Sequence, residues 1–179
     1  MKLKEMTRIA LCTALTAVFA QIIIPLPFTP VPITCAIIAV MLCGGLLSPR
    51  SAFLSQLVYL LLGLAGAPVF SGFGGGPAKL LGPTGGYLIA YPLMALLIAL
   101  ILNKTGRRSI PLTTAAMLAG LVVCYALGTV WLAASTGRTL TEALLAGAVP
   151  FAGFDAAKAV FCALLVKALE KPLLRIAQA

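Results

Sequence analysis

The sequence contains no histidine, one tryptophan, and four acidic residues among 179 (Glu5, Glu142, Asp155 and Glu170). Without histidine there is no Ser-His-Asp triad, no HExxH zinc site and no imidazole proton shuttle. Charged residues make up only 9% of the chain, against about 25% in soluble domains. So few charges cannot cover a water-facing surface, so bilayer lipid is the expected solvent for the outside. Other motifs are also missing. No GxxxxGK[ST] loop is present, since Lys79 is followed by Leu80 and Leu81, and no GxGxxG follows a strand; ATP hydrolysis by this chain is excluded. No GxSxG elbow supports an intramembrane hydrolase. The five cysteines (Cys12, Cys35, Cys43, Cys124 and Cys162) form no CxxC pair and lie in apolar runs, where they read as small buried hydrophobes.

What is present is hydrophobic: 61% of the residues, with a net charge of +9. The basic residues are scattered between apolar runs, with no basic face and no interleaved aromatics, so a nucleic-acid partner is not expected. Lys2 and Lys4 before an apolar stretch resemble a signal peptide. The run from Ile9 to Ile24 is longer than the usual signal core and lacks a clear A-x-A site, which predicts a retained first helix.

Six apolar segments emerge: about Thr7–Ile24, Ile33–Leu47, Ser51–Leu64, Tyr87–Leu102, Pro111–Ala134 and Pro150–Leu169. Pro25, Pro27, Pro30 and Pro32 make a rigid, non-helical connector after the first. Several segments barely reach across a core of about 30 Å at 1.5 Å per residue, which requires shielding by neighbours or extension by loops. Six spans with a cytoplasmic N-terminus place ten basic residues inside: Lys2, Lys4, Arg8, Arg50, Lys104, Arg107, Arg108, Lys167, Lys171 and Arg175. Only Lys79 and Arg138 then fall outside, a strong positive-inside bias. The predicted architecture is therefore all-α: one integral-membrane domain over residues 1–179, six transmembrane helices and both termini cytoplasmic. A long Gly-rich loop joins helices 3 and 4. No internal repeat is visible.

That loop, residues 66–86, reads GAPVFSGFGGGPAKLLGPTGG. It is too Gly-rich for a helix, yet Val69, Phe70, Phe73, Leu80 and Leu81 are not residues of a solvated linker. Irregular backbone at a membrane survives when buried in protein or lining a cavity, so a lid or binding loop is predicted.

Asp155 and Lys158 stand inside the sixth segment. Charges within a span cost about 2.5–3.5 kcal/mol each on insertion scales and face a protein interior or cavity. Their i,i+3 spacing puts both on one helix face. Phe151 and Phe154 lie on or beside that face. One reading is an ion pair that only neutralises itself. The other is a clamp for a small molecule with a polar head and a carboxylate tail. Helix one carries small residues at four-residue spacing: Ala10 with Ala14, Thr13 with Ala17, Thr16 with Ala20. These allow close helix approach, either inside the bundle or onto another membrane subunit.

Together PLPFTPVPIT (25–34), YLLLGLAGAPVFSGFGGG (59–76), GPTGGYL (82–88) and PFAGFDAAKA (150–159) resemble the BioY family, the biotin-specific substrate-capture (S) components of energy-coupling-factor (ECF) transporters. The resemblance covers essentially the whole chain. It implies a six-helix membrane fold, high-affinity biotin binding on the extracytoplasmic side under the 66–86 loop, and residence in the cell membrane. It also implies a partner module of a transmembrane coupling subunit and two ABC ATPases, contacted through an Ala-x-x-x-Ala pattern matched by Ala10 and Ala14. Biotin is the transported ligand, and no cofactor is expected. Asp155 can accept from the ureido N–H groups. Three helical residues span only about 4.5 Å, shorter than extended biotin, so Lys158 either supports Asp155 or stretches to the tail. Phe70, Phe73 and Tyr87 are candidates for an apolar wall and lid, and Lys79 for a carboxylate partner at the mouth. The alternatives are an S component for another vitamin, or a small passive channel.

Overall fold

The computed structural model describes residues 3–25, 27, 29 and 31–178, with backbone only for 171–178. All of Lys2 and Pro30, and the side chains of Lys171 and Arg175, lie outside the described residues. The described chain is helical, with one two-stranded exception. Its elements are α1 (Leu3–Phe19), β1 (Ile23–Ile24), β2 (Ile33–Thr34), α2 (Ala36–Leu46), α3 (Pro49–Leu64), α4 (Pro77–Leu81), α5 (Gly85–Thr105), α6 (Ile110–Thr136), α7 (Leu140–Gly147) and α8 (Val149–Gln178).

Three of these helices, α5, α6 and α8, are long and apolar enough by themselves to cross a membrane. The other three that correspond to predicted spans are shorter or more polar. α1 begins with Lys4, Glu5 and Arg8. α2 has 11 residues, about 16 Å at 1.5 Å per residue, well short of a bilayer core. Its predicted start at Ile33 is lost because Ile33 and Thr34 pair antiparallel with Ile24 and Ile23. The shortness is tolerable because α2 is a core element: Ala39, Val40, Met41 and Cys43 are completely buried. Neighbouring helices, not lipid, surround it. α3 starts cleanly at Ser48, whose hydroxyl accepts from the Ser51 N–H, with Pro49 at the first helical position.

α8 shows how the sequence chooses its faces. Phe151, Asp155, Ala159, Cys162, Ala163 and Val166 are buried, at intervals of three or four residues along one stripe. Phe154, Val160, Phe161 and Leu164 are exposed on the other side, an apolar surface suited to lipid. Helix one resolves its small-residue pairs in the same way. Thr13 and Thr16 face inward: Thr13 Oγ1 donates to the Ser55 carbonyl at 2.8 Å and Gln56 Nε2 donates to Thr16 Oγ1 at 3.1 Å. Ala10 and Ala14 face outward beside exposed Leu11 and Val18.

The 66–86 segment is not irregular throughout. Pro77–Leu81 closes one short helix and α5 begins at Gly85, two residues before the predicted Tyr87. Phe70 anchors the irregular part. Its ring is fully buried against Tyr59, edge-on at 5.5 Å, over Gly63 of α3, where a Cβ would collide with it. Gln21, just beyond α1, ties the segment down further. Its Nε2 donates to the Val69 and Phe70 carbonyls at 3.3 and 3.2 Å, and its Oε1 accepts from the Phe73 N–H at 2.8 Å. The β1–β2 connection, the 66–84 segment and α7 thereby gather at one end of the bundle.

Candidate functional site

At that end a cavity runs between the helices. Its deepest part is lined by Ile37, Tyr91, Tyr125, Phe151, Asp155 and Lys158, under Val31 to Thr34. It adjoins a second chamber through shared Val31, Pro32, Thr34, Tyr87 and Tyr91. That chamber is walled further by Tyr59, Ser71, Thr84 and Leu88. Beyond Ser71 and Thr84 lies an outer opening bordered by Gly72, Ala78, Lys79 and Pro83. The aromatic walls and few polar groups are those of a small-molecule site.

Asp155 carries the electrostatics of the deep end. It is 3% exposed. Lys158 Nζ lies 2.8 Å from Oδ1 and the Tyr125 hydroxyl donates to Oδ2 at 2.6 Å. Lys158 also donates to the Thr34 carbonyl at 3.0 Å, and the β1–β2 pairing fixes that carbonyl in place. A carboxylate has about four acceptor positions and an ammonium three donors. After these bonds Asp155 retains acceptor capacity on each oxygen, and Lys158 retains one donor. The pair is charge-neutral, but its hydrogen-bonding capacity is not exhausted.

Tyr87 is fixed by small residues. Its ring fills the space beside Gly128 of α6, and its hydroxyl donates to the Gly147 carbonyl at 2.8 Å. Gly147 ends α7, which is started by a reciprocal cap: the Thr139 hydroxyl accepts from the Glu142 N–H, and Glu142 accepts from the Thr139 N–H. The connector before β2 is attached to the same helix, because Thr29 Oγ1 donates to the Ala146 carbonyl at 2.8 Å.

The structure therefore brings four sequence-predicted residues together around the cavity: Asp155, Lys158, Phe151 and Tyr87. Lys79 stands at the outer opening. Phe70 sits behind the cavity as the plug that seats the loop. Phe73 is 73% exposed and Phe154 63% exposed, and neither lines the cavity. Tyr125, Tyr91, Tyr59, Ser71 and the Thr34 carbonyl escaped the sequence reading. A tyrosine in an apolar helix gives no signal of what its hydroxyl meets, and a backbone carbonyl gives none at all. Only α7 had a legible marker, Thr139-x-x-Glu142.

These features define a helical membrane protein with an elongated cavity near one end of its bundle, built for a small ligand with polar groups. Residues 1–175 match the model of the BioY family. A protein of Pyrococcus horikoshii named "Probable biotin transporter BioY" is 42% identical over 170 residues, covering 95% of this chain and 98% of that one. One of Thermotoga maritima named "Biotin transporter BioY" is 38% identical over 169 residues, covering 94% and 97%. A crystal structure of the S-component for biotin from an ECF-type ABC transporter superposes with a TM-score of 0.88 at 32% identity, covering 94% of this chain and 91% of that one. The chain belongs to the BioY family.

Proposed function

We propose that this chain captures biotin with high affinity for uptake, as the substrate-specific subunit of an ECF-type transporter. The observation that carries the reading is the Asp155–Lys158–Tyr125 cluster in an aromatic-lined cavity. Its unused capacity, acceptors on Asp155 and one donor on Lys158, matches one edge of a cyclic urea, an N–H beside a C=O. Both charges then serve the same end of the ligand, which fits their separation of about 4.5 Å along the helix axis. The bicycle and the valerate chain lie along Phe151, Tyr87 and Tyr91. The carboxylate points toward Lys79 at the opening, and Phe70 supports the covering loop from behind.

The topology belongs to the same reading. α1, α2, α3, α5, α6 and α8 form six crossings of the cell membrane, with the cavity on the extracytoplasmic side and both termini in the cytoplasm. Energy comes from a coupling subunit and two ATPases. The outward Ala10–Ala14 face of α1, free of the internal packing that engages Thr13 and Thr16, supports docking to the coupling subunit there.

Mass spectrometry of small molecules released from the purified, denatured protein tests the ligand. Biotin is expected; recovery of a different vitamin with no measurable biotin affinity would refute the reading. A finer test separates the two lysines. Biotin methyl ester should bind more weakly than biotin to the native protein and to Lys158→Ala, and this penalty should shrink in Lys79→Ala. Loss of the ester penalty in Lys158→Ala instead would place the carboxylate at Lys158.

A further inference from the structure

Tyr59 is completely buried on α3, and its hydroxyl has no hydrogen-bond partner among the described residues. The ring has little freedom to seek one: it meets Phe70 edge-on at 5.5 Å and stacks on Tyr91 at 6.4 Å with the planes 25° apart. A buried phenol with no partner bears its full desolvation cost, and Tyr hydroxyls at such depth ordinarily find one. Phenylalanine would fill the same space without that cost. The residue lines the middle chamber of the cavity, with Pro32, Ser71 and Thr84, the three residues shared with the outer opening where Lys79 stands. The chamber is thus bounded by Asp155 and Lys158 on one side and, on the outer side, by Lys79, which has no ion-pair partner among the described residues.

We infer that the Tyr59 hydroxyl is a ligand-contacting residue that donates a hydrogen bond to the carboxylate of the bound molecule from the inner side, opposite the Lys79 ammonium. The inference rests on biotin as the ligand and extends that reading to a contact at the far end from Asp155. A neutral hydroxyl donor gives direction where Lys79 gives charge. It also favours a terminal acceptor over a tail of the same length that ends in an apolar group. The two tyrosines then divide the ligand between them, Tyr125 through Asp155 at the ureido end and Tyr59 at the tail.

The test is Tyr59→Phe in the full chain, purified in detergent. It is titrated with biotin and with an analogue whose carboxylate is replaced by a methyl group. Biotin affinity should fall by roughly tenfold or more, as for a lost hydrogen bond to a charged group. Affinity for the methyl-ended analogue should be unchanged. The unfolding midpoint without ligand should be equal or higher, because the variant removes an unpaired buried hydroxyl. Equal losses for both ligands, no loss for either, or a lowered midpoint would each overturn the assignment, the last by revealing a structural partner for the hydroxyl. If the unsubstituted chain fails to bind biotin at all, the ligand itself is wrong and this contact falls with it. That outcome is visible in the reference titration alone.

Discussion

Asp155 spends one hydrogen bond on Lys158 and one on Tyr125, and keeps the rest of its acceptor capacity for the cavity. Replacing it with asparagine turns part of that capacity into donors. Biotin affinity of Asp155→Asn should drop by about tenfold to a hundredfold, the cost of leaving buried polar groups mismatched. Calorimetric titration reads this directly, and an unchanged dissociation constant would remove Asp155 from the site. Tyr125→Phe takes away one charge-assisted bond and leaves the carboxylate, so a smaller loss of a few-fold is expected. At this scale the sequence was informative wherever a residue contradicts its surroundings. A charge in an apolar helix must have a reason, and Asp155 and Lys158 do share one face and one cavity. Aromatics carry no such contradiction. Phe151 and Phe154 differ by three positions and a rotation that periodicity alone leaves ambiguous, and only the first faces inward.

Two connections hold the elements that close the cavity. Gln21 joins the end of α1 to the Val69–Phe73 backbone through three hydrogen bonds. Gln21→Ala should raise the biotin dissociation rate and increase amide exchange at Phe73, while the deep Asp155 cluster is untouched; an unaltered rate would show that Phe70 alone seats the loop. α7 depends on its cap. The Glu142 carboxyl is held below its ordinary value of 4.5 first by the Thr139 N–H and then by the Thr139 hydroxyl. A depressed folded value means the contribution is complete at neutral pH and lost as pH falls below 4.5 through the folded value. Amide exchange at the start of α7 should rise over that interval, and Glu142→Gln should remove the pH dependence. The long helices α5, α6 and α8 were legible because sustained hydrophobic runs specify them. The short ones were not. α2 loses its first turn to a strand pairing partner ten residues upstream, and α4 hides in a stretch where glycine and proline dominate local preference. These are tertiary outcomes without a local cause.

For the molecule as a whole, hydrophobicity and charge placement point the same way. The exposed apolar faces of α6 and α8 suit lipid, and the basic residues gather in the segments that the proposed six-span topology places in the cytoplasm. If the coupling subunit docks at Ala10 and Ala14 as proposed, capture and transport are separable at the α1 surface. Ala14→Arg should leave biotin binding by the purified chain intact and abolish uptake in cells that supply the coupling module; intact uptake would move the docking surface elsewhere. The central claim is that one buried cluster, made by Asp155, Lys158 and Tyr125, holds biotin. Its most direct test is a calorimetric titration of the purified chain with biotin, run beside Asp155→Asn. Saturable binding of one biotin per chain, severely weakened in the variant, is the predicted result. The absence of biotin binding, or equal affinity in both proteins, would contradict it.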